Sequence, residues 1–306
     1  MKDTQQKISI ESTLKSLDTE EFIDIHFYRP IGFRWALLFK KLNISPNTVT
    51  IAGIFIGIAA GICYYFPSLN INIIGMLLLI WANSYDSADG QLARMTGKKS
   101  KMGRMLDGLC GIIIFAVIYF ALCFRITPLW GIWIWLLALT AGFFHGKQAE
   151  LADYYRNIHL FFLKGQSGSE LIESATLKEN YSKMSWKHNL FDTFFHYYYT
   201  GYTKDQESWT PNFQQMMLNI KEKFPAEIPD RFRAAFREKS LPLMKYTNML
   251  TFNTRVIALF VALLINLPWL YFIFELTVLN IMLVYMVNRH EKMCADFNKQ
   301  LLADNS

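Results

Sequence analysis

Asp86-Ser-Ala-Asp89-Gly90-Gln-Leu-Ala93-Arg94, followed by Gly103-Arg-Met-Leu-Asp107, places three carboxylates in two stretches otherwise apolar enough to span a bilayer. An ionised carboxylate in such a stretch costs roughly 2.5–3.5 kcal/mol on insertion scales, so three of them require a compensating partner. Oxygen-only ligands suit a hard divalent cation, Mg²⁺ or Mn²⁺. Asp86, Asp89 and Ala93 stand at i, i+3 and i+7 and share one helical face. Asp107 opens the next apolar stretch after a short basic connection, so two antiparallel helices bring all three acids to one membrane boundary. Ala88, Gly90 and Ala93 are small enough to admit a ligand or a neighbouring helix. Arg94, at the end of the stripe, suits bidentate pairing with phosphate. Acids for a cation beside an Arg and a Lys-rich loop describe a pyrophosphate site.

The segment resembles the signature of the CDP-alcohol phosphotransferases, membrane enzymes of phospholipid head-group synthesis. Their pattern, D-x2-D-G-x2-A-R-x8-G-x3-D-x3-D, is met at seven of its eight fixed positions. Ile44-Ser-Pro-Asn-Thr-Val-Thr50 also looks like the family's entry into its first membrane helix. The resemblance implies that Asp86, Asp89 and Asp107 ligate Mg²⁺ or Mn²⁺, and that Gly90, Ala93, Arg94 and Gly103 shape the cytidine and phosphate pocket. It implies a CDP-linked lipid or alcohol donor, a hydroxyl acceptor, release of CMP, contact with membrane lipids and a homodimer.

The departure is Gly111, one turn beyond Asp107, where the family's last Asp holds metal and deprotonates the acceptor. Glycine does neither, and loss of a general base typically costs about 10²–10⁴-fold in rate. Three readings follow: another residue has taken over, the acceptor needs less activation, or the protein is catalytically impaired. For the first, the run HGKQAELADYYRN supplies His145 and Asp153 at helical spacing near the end of the fourth apolar stretch. These two are the candidate substitute bases.

Composition sets the frame. The 306 residues are 52% hydrophobic and 16% aromatic, a mixture between a soluble protein and a pure membrane bundle. Apolar runs at about 48–66, 72–92, 105–124, 128–147, 250–267 and 269–288 predict six spans. Lys and Arg crowd the N-terminal segment, the 94–104 loop, the 147–249 region and the tail, while the turns around Ser68 and Pro268 have none. The positive-inside rule then puts both termini, that loop and the insertion in the cytoplasm. The protein is expected in the inner membrane, if bacterial, with its active site facing inward. Residues 1–20 are polar and charged, so no secretory signal peptide is expected.

The predicted fold is an all-α integral membrane bundle of six transmembrane helices with an N-terminal interfacial helix and a helical cytoplasmic insertion. Residues 1–47 form the N-terminal segment, in which 21–41 mix aromatics with basic residues as an interfacial helix does. An ordinary packing helix is the alternative. Pro46-Asn47 is read as the cap of the first span. Residues 48–149 carry the first four spans and the motif, 150–248 the insertion, and 249–306 the last two spans and tail.

The insertion has mixed charge, with helical patterns broken at Gly165 to Gly168, Pro211, Pro225, Pro229 and Pro242. Its aromatic run FFHYYYTGY at 194–202 reads as packing surface or membrane border. Acceptor specificity and an assembly contact are the two roles considered. His159, His188 and His196 lack metal-ligand spacing. Cys63, Cys110, Cys123 and Cys294 read as buried thiols that form no metal-type cluster. No phosphate loop, nucleophile elbow or nucleic-acid signature is present, so the net charge of +6 is assigned to anionic lipid rather than nucleic acid. Arg255 reads as a ligand for acceptor phosphate or as a snorkelling residue, and Glu275 has no assigned role.

Function thus reads as transfer of a phosphoryl-alcohol unit in phospholipid or related polar-lipid biosynthesis. The alternative is an impaired relative that binds CDP-lipid or metal and acts as a regulator or scaffold. A transporter fits less well, because broken, repeated helices are absent from the pattern.

Overall fold

The computed structural model describes Thr13 and residues 16–98, 101–165, 168–169, 171–182 and 190–303. Among them every regular element is helical. After a π-helical turn at Asp24–Tyr28 come α1 (Arg29–Lys41), α2 (Pro46–Cys63), α3 (Leu69–Thr96), α4 (Lys101–Trp130), α5 (Trp133–Lys164) and α6 (Ser174–Ser182). They are followed by α7 (Leu190–Ser208), α8 (Pro211–Lys223), α9 (Asp230–Met249), α10 (Phe252–Leu264) and α11 (Trp269–Phe274). A π-helical turn at Glu275–Leu279 then leads into α12 (Asn280–Ala303). Among the described residues four stretches are long and apolar enough to cross a membrane: Pro46–Cys63, Met105–Trp130, Asp230–Leu264 and Trp269–Ala303. α3 and α5, the other two expected spans, carry their polar motif residues within helices of 28 and 32 residues.

The chain divides into two compact units, residues 1–145 with 252–278, and 146–251 with 279–306. The chain passes from the first unit into the second within α5 and again between α11 and α12.

In the first unit, α2 opens with Ser45 in extended conformation, its Oγ accepting from the Thr48 N–H at 3.2 Å, and with Pro46 in the first turn. The cap is therefore Ser45, where the sequence reading favoured Asn47: proline belongs inside the first turn, and its predecessor holds the cap. Gly53, Gly57 and Gly61 form a smooth stripe along α2. A Cβ on Gly57 would lie 2.3 Å from Ile114 Cδ1, and one on Gly61 would lie 2.8 Å from Val117 Cγ1. Small residues let α2 and α4 approach this closely. α1 packs on α3 through Gly32, Ala36 and Phe39, with a Gly32 Cβ position only 2.7 Å from Ser87 Oγ. Leu37 and Leu38 stay exposed on its other side.

At the opposite end of this unit, Arg125 donates to the Tyr64 carbonyl at 3.1 Å and to Asn266 Oδ1 at 2.8 Å, stapling two turns. Its outer surface is apolar: Leu139 is 73% exposed and Phe55 68%. That inversion, with polar groups inside and large apolar side chains outside, suits a lipid solvent. Pro128 sits within α4, and the turn expected there falls at Gly131, whose φ is 57°.

The second unit packs α6 to α9, α12 and the later half of α5. Phe162 and Phe236 stack with centroids 3.8 Å apart, and Phe213, Met216 and Ile220 line one face of α8. Pro211 starts α8 and Pro229 caps α9, as breakers should, whereas Pro242 is carried inside α9. Burial of Ser240, Leu243 and Met244 around it holds the helix through the missing hydrogen bond. His159 Nδ1 meets Ser240 Oγ at 2.7 Å. His188 lies outside the described residues, as do the side chains at 101, 104, 194–196 and 198.

Candidate functional site

α3 and α4 bring the three acids together. The Asp86 and Asp107 carboxyls are within hydrogen-bonding reach of each other, with Asp89 alongside. Asp89 is 6% exposed, Asp86 half-buried and Asp107 open. Thr50, buried on α2, donates its hydroxyl to Asp89 Oδ2, with the Pro46 carbonyl 3.2 Å from the same hydroxyl oxygen. Three anionic side chains converging this closely repel unless a proton or a cation stands between them. Their all-oxygen donor set is that of a hard divalent ion, so these residues fit Mg²⁺ or Mn²⁺.

Beside the acids lie two arginines. Arg94 curls over Gly90, where an added Cβ would sit 3.3 Å from Arg94 Nη2. Its Nε is buried without a hydrogen-bond partner among the described groups, and a guanidinium donor of this kind suits an anionic oxygen. Arg29, from the first turn of α1, faces Asp86 and forms a two-pronged pair with Glu20 at 2.9 and 3.0 Å. Gln91 fixes that corner: its Nε2 donates to the Arg29 carbonyl at 3.0 Å, and its Oε1 accepts from Thr13 Oγ1 at 3.0 Å. Ala93 lies on the acid-bearing face of α3, and Gly103 in the first turn of α4. Cys110 lies near the acids from the same side as Asp107.

Gly111, a turn past Asp107, is exposed, and a Cβ there meets nothing within 4 Å. His145 packs its ring 4.6 Å from that of Phe115, the next turn of α4 after Gly111. Its Nδ1 lies 3.3 Å from Tyr119 Oη and 3.6 Å from Glu275 Oε1. Asp153 lies in the second unit, where Asn157 donates to it at 3.1 Å and where it lines a pocket with Ile172, Tyr199 and Tyr202.

Arg255 is 1% exposed and pairs with Glu275, which also accepts from Tyr271 Oη at 2.6 Å. Neither phosphate contact nor snorkelling describes this arginine: its charge is cancelled internally. Thr50, Arg29, Glu20 and Gln91 were missed from sequence. Thr50 alone carried a signal, since it closes the Ile44–Thr50 segment that the resemblance singled out.

Residues 43–147 match the family model for CDP-alcohol phosphatidyltransferase. The matched segment holds Thr50, the three acids, Arg94, Gly103 and His145. Two curated relatives match part of the chain. An uncharacterised protein of Aquifex aeolicus is 39% identical over 69 residues, and the archaetidylinositol phosphate synthase of Pyrococcus horikoshii is 43% identical over 67. Each match covers 22% of this chain and 34% of the relative, so the chain spans about a third of the length of the curated relatives it matches. No solved structure matches the chain.

Proposed function

We propose that the protein is an integral membrane phosphotransferase of polar-lipid synthesis. It moves a phosphoryl-alcohol unit from a CDP-linked donor to a hydroxyl acceptor and releases CMP. The observation that carries this reading is the convergence of Asp86, Asp89 and Asp107 beside the unpartnered Arg94 Nε. Asp86, Asp89 and Asp107 would hold Mg²⁺ or Mn²⁺, which would supply positive charge against the pyrophosphate oxygens. Arg94 binds the donor's phosphate, and Gly90, Ala93 and Gly103 leave room for the nucleotide. The acceptor oxygen forms the new bond to phosphorus, CMP departs with the old bonding pair, and the acceptor's proton passes to a base.

His145 is the base this reading favours. Its Nδ1 faces Glu275 and Tyr119, which leaves Nε2 for the incoming proton. Asp153, in the second unit, is the other candidate. Six spans, an α1 resting at the headgroups, a homodimer and a cytoplasmic active site complete the proposal. The spans, the place of α1 and the orientation are supported by the apolar exterior and by the basic residues of the N-terminal segment and the 94–104 loop, and the homodimer rests on the family resemblance alone. The name of the Pyrococcus relative points to an inositol phosphate as one partner in transfer. Glycerol phosphate, an amino-alcohol and a sphingoid acceptor are the other classes to which the reading extends.

A second reading, a metal- or CDP-lipid-binding scaffold, is favoured by Gly111 alone. One assay separates the two. Purified protein with Mn²⁺ and labelled CDP-lipids is expected to release CMP only when acceptor is added. Metal binding without CMP release across the acceptor classes would establish the scaffold instead.

A further inference from the structure

Far from the aspartates in sequence, α12 presents His290, Glu291 and Cys294 with their ligand atoms all within 4.8 Å of one another. His290 and Cys294 stand at i and i+4, the spacing that lets two side chains of one helix hold a single zinc ion. Their Nδ1 and Sγ are 3.6 Å apart. Tetrahedral zinc, with Zn–N of about 2.0–2.1 Å and Zn–S of about 2.3 Å, sets such a pair about 3.5 Å apart. All three residues are more than nine-tenths buried: His290 is 1% exposed, Glu291 8% and Cys294 0%.

Packing alone leaves this cluster incomplete. Glu291 uses Oε2 to accept from the Asn212 N–H at 2.6 Å, capping the start of α8. Its Oε1 is buried with no partner among the described groups, and so is His290 Nε2. The Tyr155 ring lies 4.2 Å from that of His290, and its hydroxyl is buried and unpartnered as well. An unsatisfied buried polar atom costs about 1–3 kcal/mol, and more when it is charged, and of these atoms Glu291 Oε1 is the one that a cation held by His290 Nδ1 and Cys294 Sγ would satisfy.

We propose that His290, Glu291 and Cys294 bind a borderline transition cation of the Zn²⁺ class. The thiol gives its proton to solvent as it binds, and thiolate, carboxylate and neutral imidazole together cancel the dication's charge. A neutral occupied site is what a buried position requires. Sulfur and imidazole donors separate it from the hard, oxygen-only set at the aspartates. The site is structural: through Glu291 it pins α12 to the start of α8. Its ligands are Cys294, which the sequence reading took for a buried thiol, and His290 and Glu291, which it did not weigh.

Full-length protein in detergent, stripped of metal and titrated with Co²⁺, tests the site. One equivalent is expected to give the thiolate-to-cobalt charge-transfer band and the visible bands of tetrahedral cobalt, both bleached by Zn²⁺. Cys294→Ser is expected to abolish the charge-transfer band. Cys110→Ser, which alters the only cysteine found beside the aspartates among the described residues, is expected to retain it, as is Asp86→Asn. A folded wild-type protein without the band, or a band that survives Cys294→Ser, would overturn the proposal. X-ray absorption on the zinc-loaded wild type needs no variant to fold. One sulfur at about 2.3 Å beside lighter ligands at about 2.0–2.1 Å supports the site, and a shell of oxygen and nitrogen alone overturns it.

Discussion

Thr50 on α2 donates its hydroxyl to Asp89 on α3, so the most buried acid of the site is held by a helix that carries no acid of its own. Groups of this kind orient a metal ligand, and their loss typically lowers metal affinity about 10–100-fold. Thr50→Val keeps the shape and removes the donor. Mn²⁺ affinity measured calorimetrically is expected to fall within that range while the thermal transition moves little. Unchanged affinity would make the contact a packing detail.

His145 and Gly111 make a second, linked prediction. His145→Gln is expected to lower turnover about 10²–10⁴-fold, the usual worth of a general base. Open space at Gly111 means an aspartate there fits without displacing a neighbour. In the His145→Gln background, Gly111→Asp is expected to restore CMP release by at least tenfold, because it returns a carboxylate to the vacant turn. If His145→Gln leaves turnover intact, the base is elsewhere, and Asp153→Asn is the variant to compare.

The buried pair of Arg255 and Glu275 predicts a stability effect. Removing one partner strands the other charge, which typically costs about 3–5 kcal/mol. Arg255→Met and Glu275→Gln are each expected to lower the midpoint of thermal unfolding in detergent markedly, and Arg255→Met with Glu275→Leu to recover most of the loss. Equal destabilisation by single and double variants would mean that the two do not act as a pair.

How much of this was written in the sequence depends on separation along the chain. Asp86, Asp89 and Ala93 were legible because one helix period places them on one face, and Asp107 because a short connection fixes the next helix. The face of α1 formed by Gly32, Ala36 and Phe39 was also regular, and its aromatic and basic neighbours fitted a lipid surface and a protein one equally. Arg29 and Thr50 reach the acids from two other helices, and no local pattern encodes a meeting between residues tens of positions apart. Arg255 and Glu275 are 20 residues apart on separate helices, so each looked like a lone intramembrane charge. Pro242 looked like a break because local rules cannot weigh the burial that carries α9 through it.

Mn²⁺ binding to the aspartate variants, followed by electron paramagnetic resonance on the full-length protein, tests the account most directly. Asp86→Asn, Asp89→Asn and Asp107→Asn are each expected to abolish or greatly weaken the bound-Mn²⁺ signal and to stop CMP release with it. A wild-type level of bound Mn²⁺ in any of the three would contradict a site in which those acids hold the ion together.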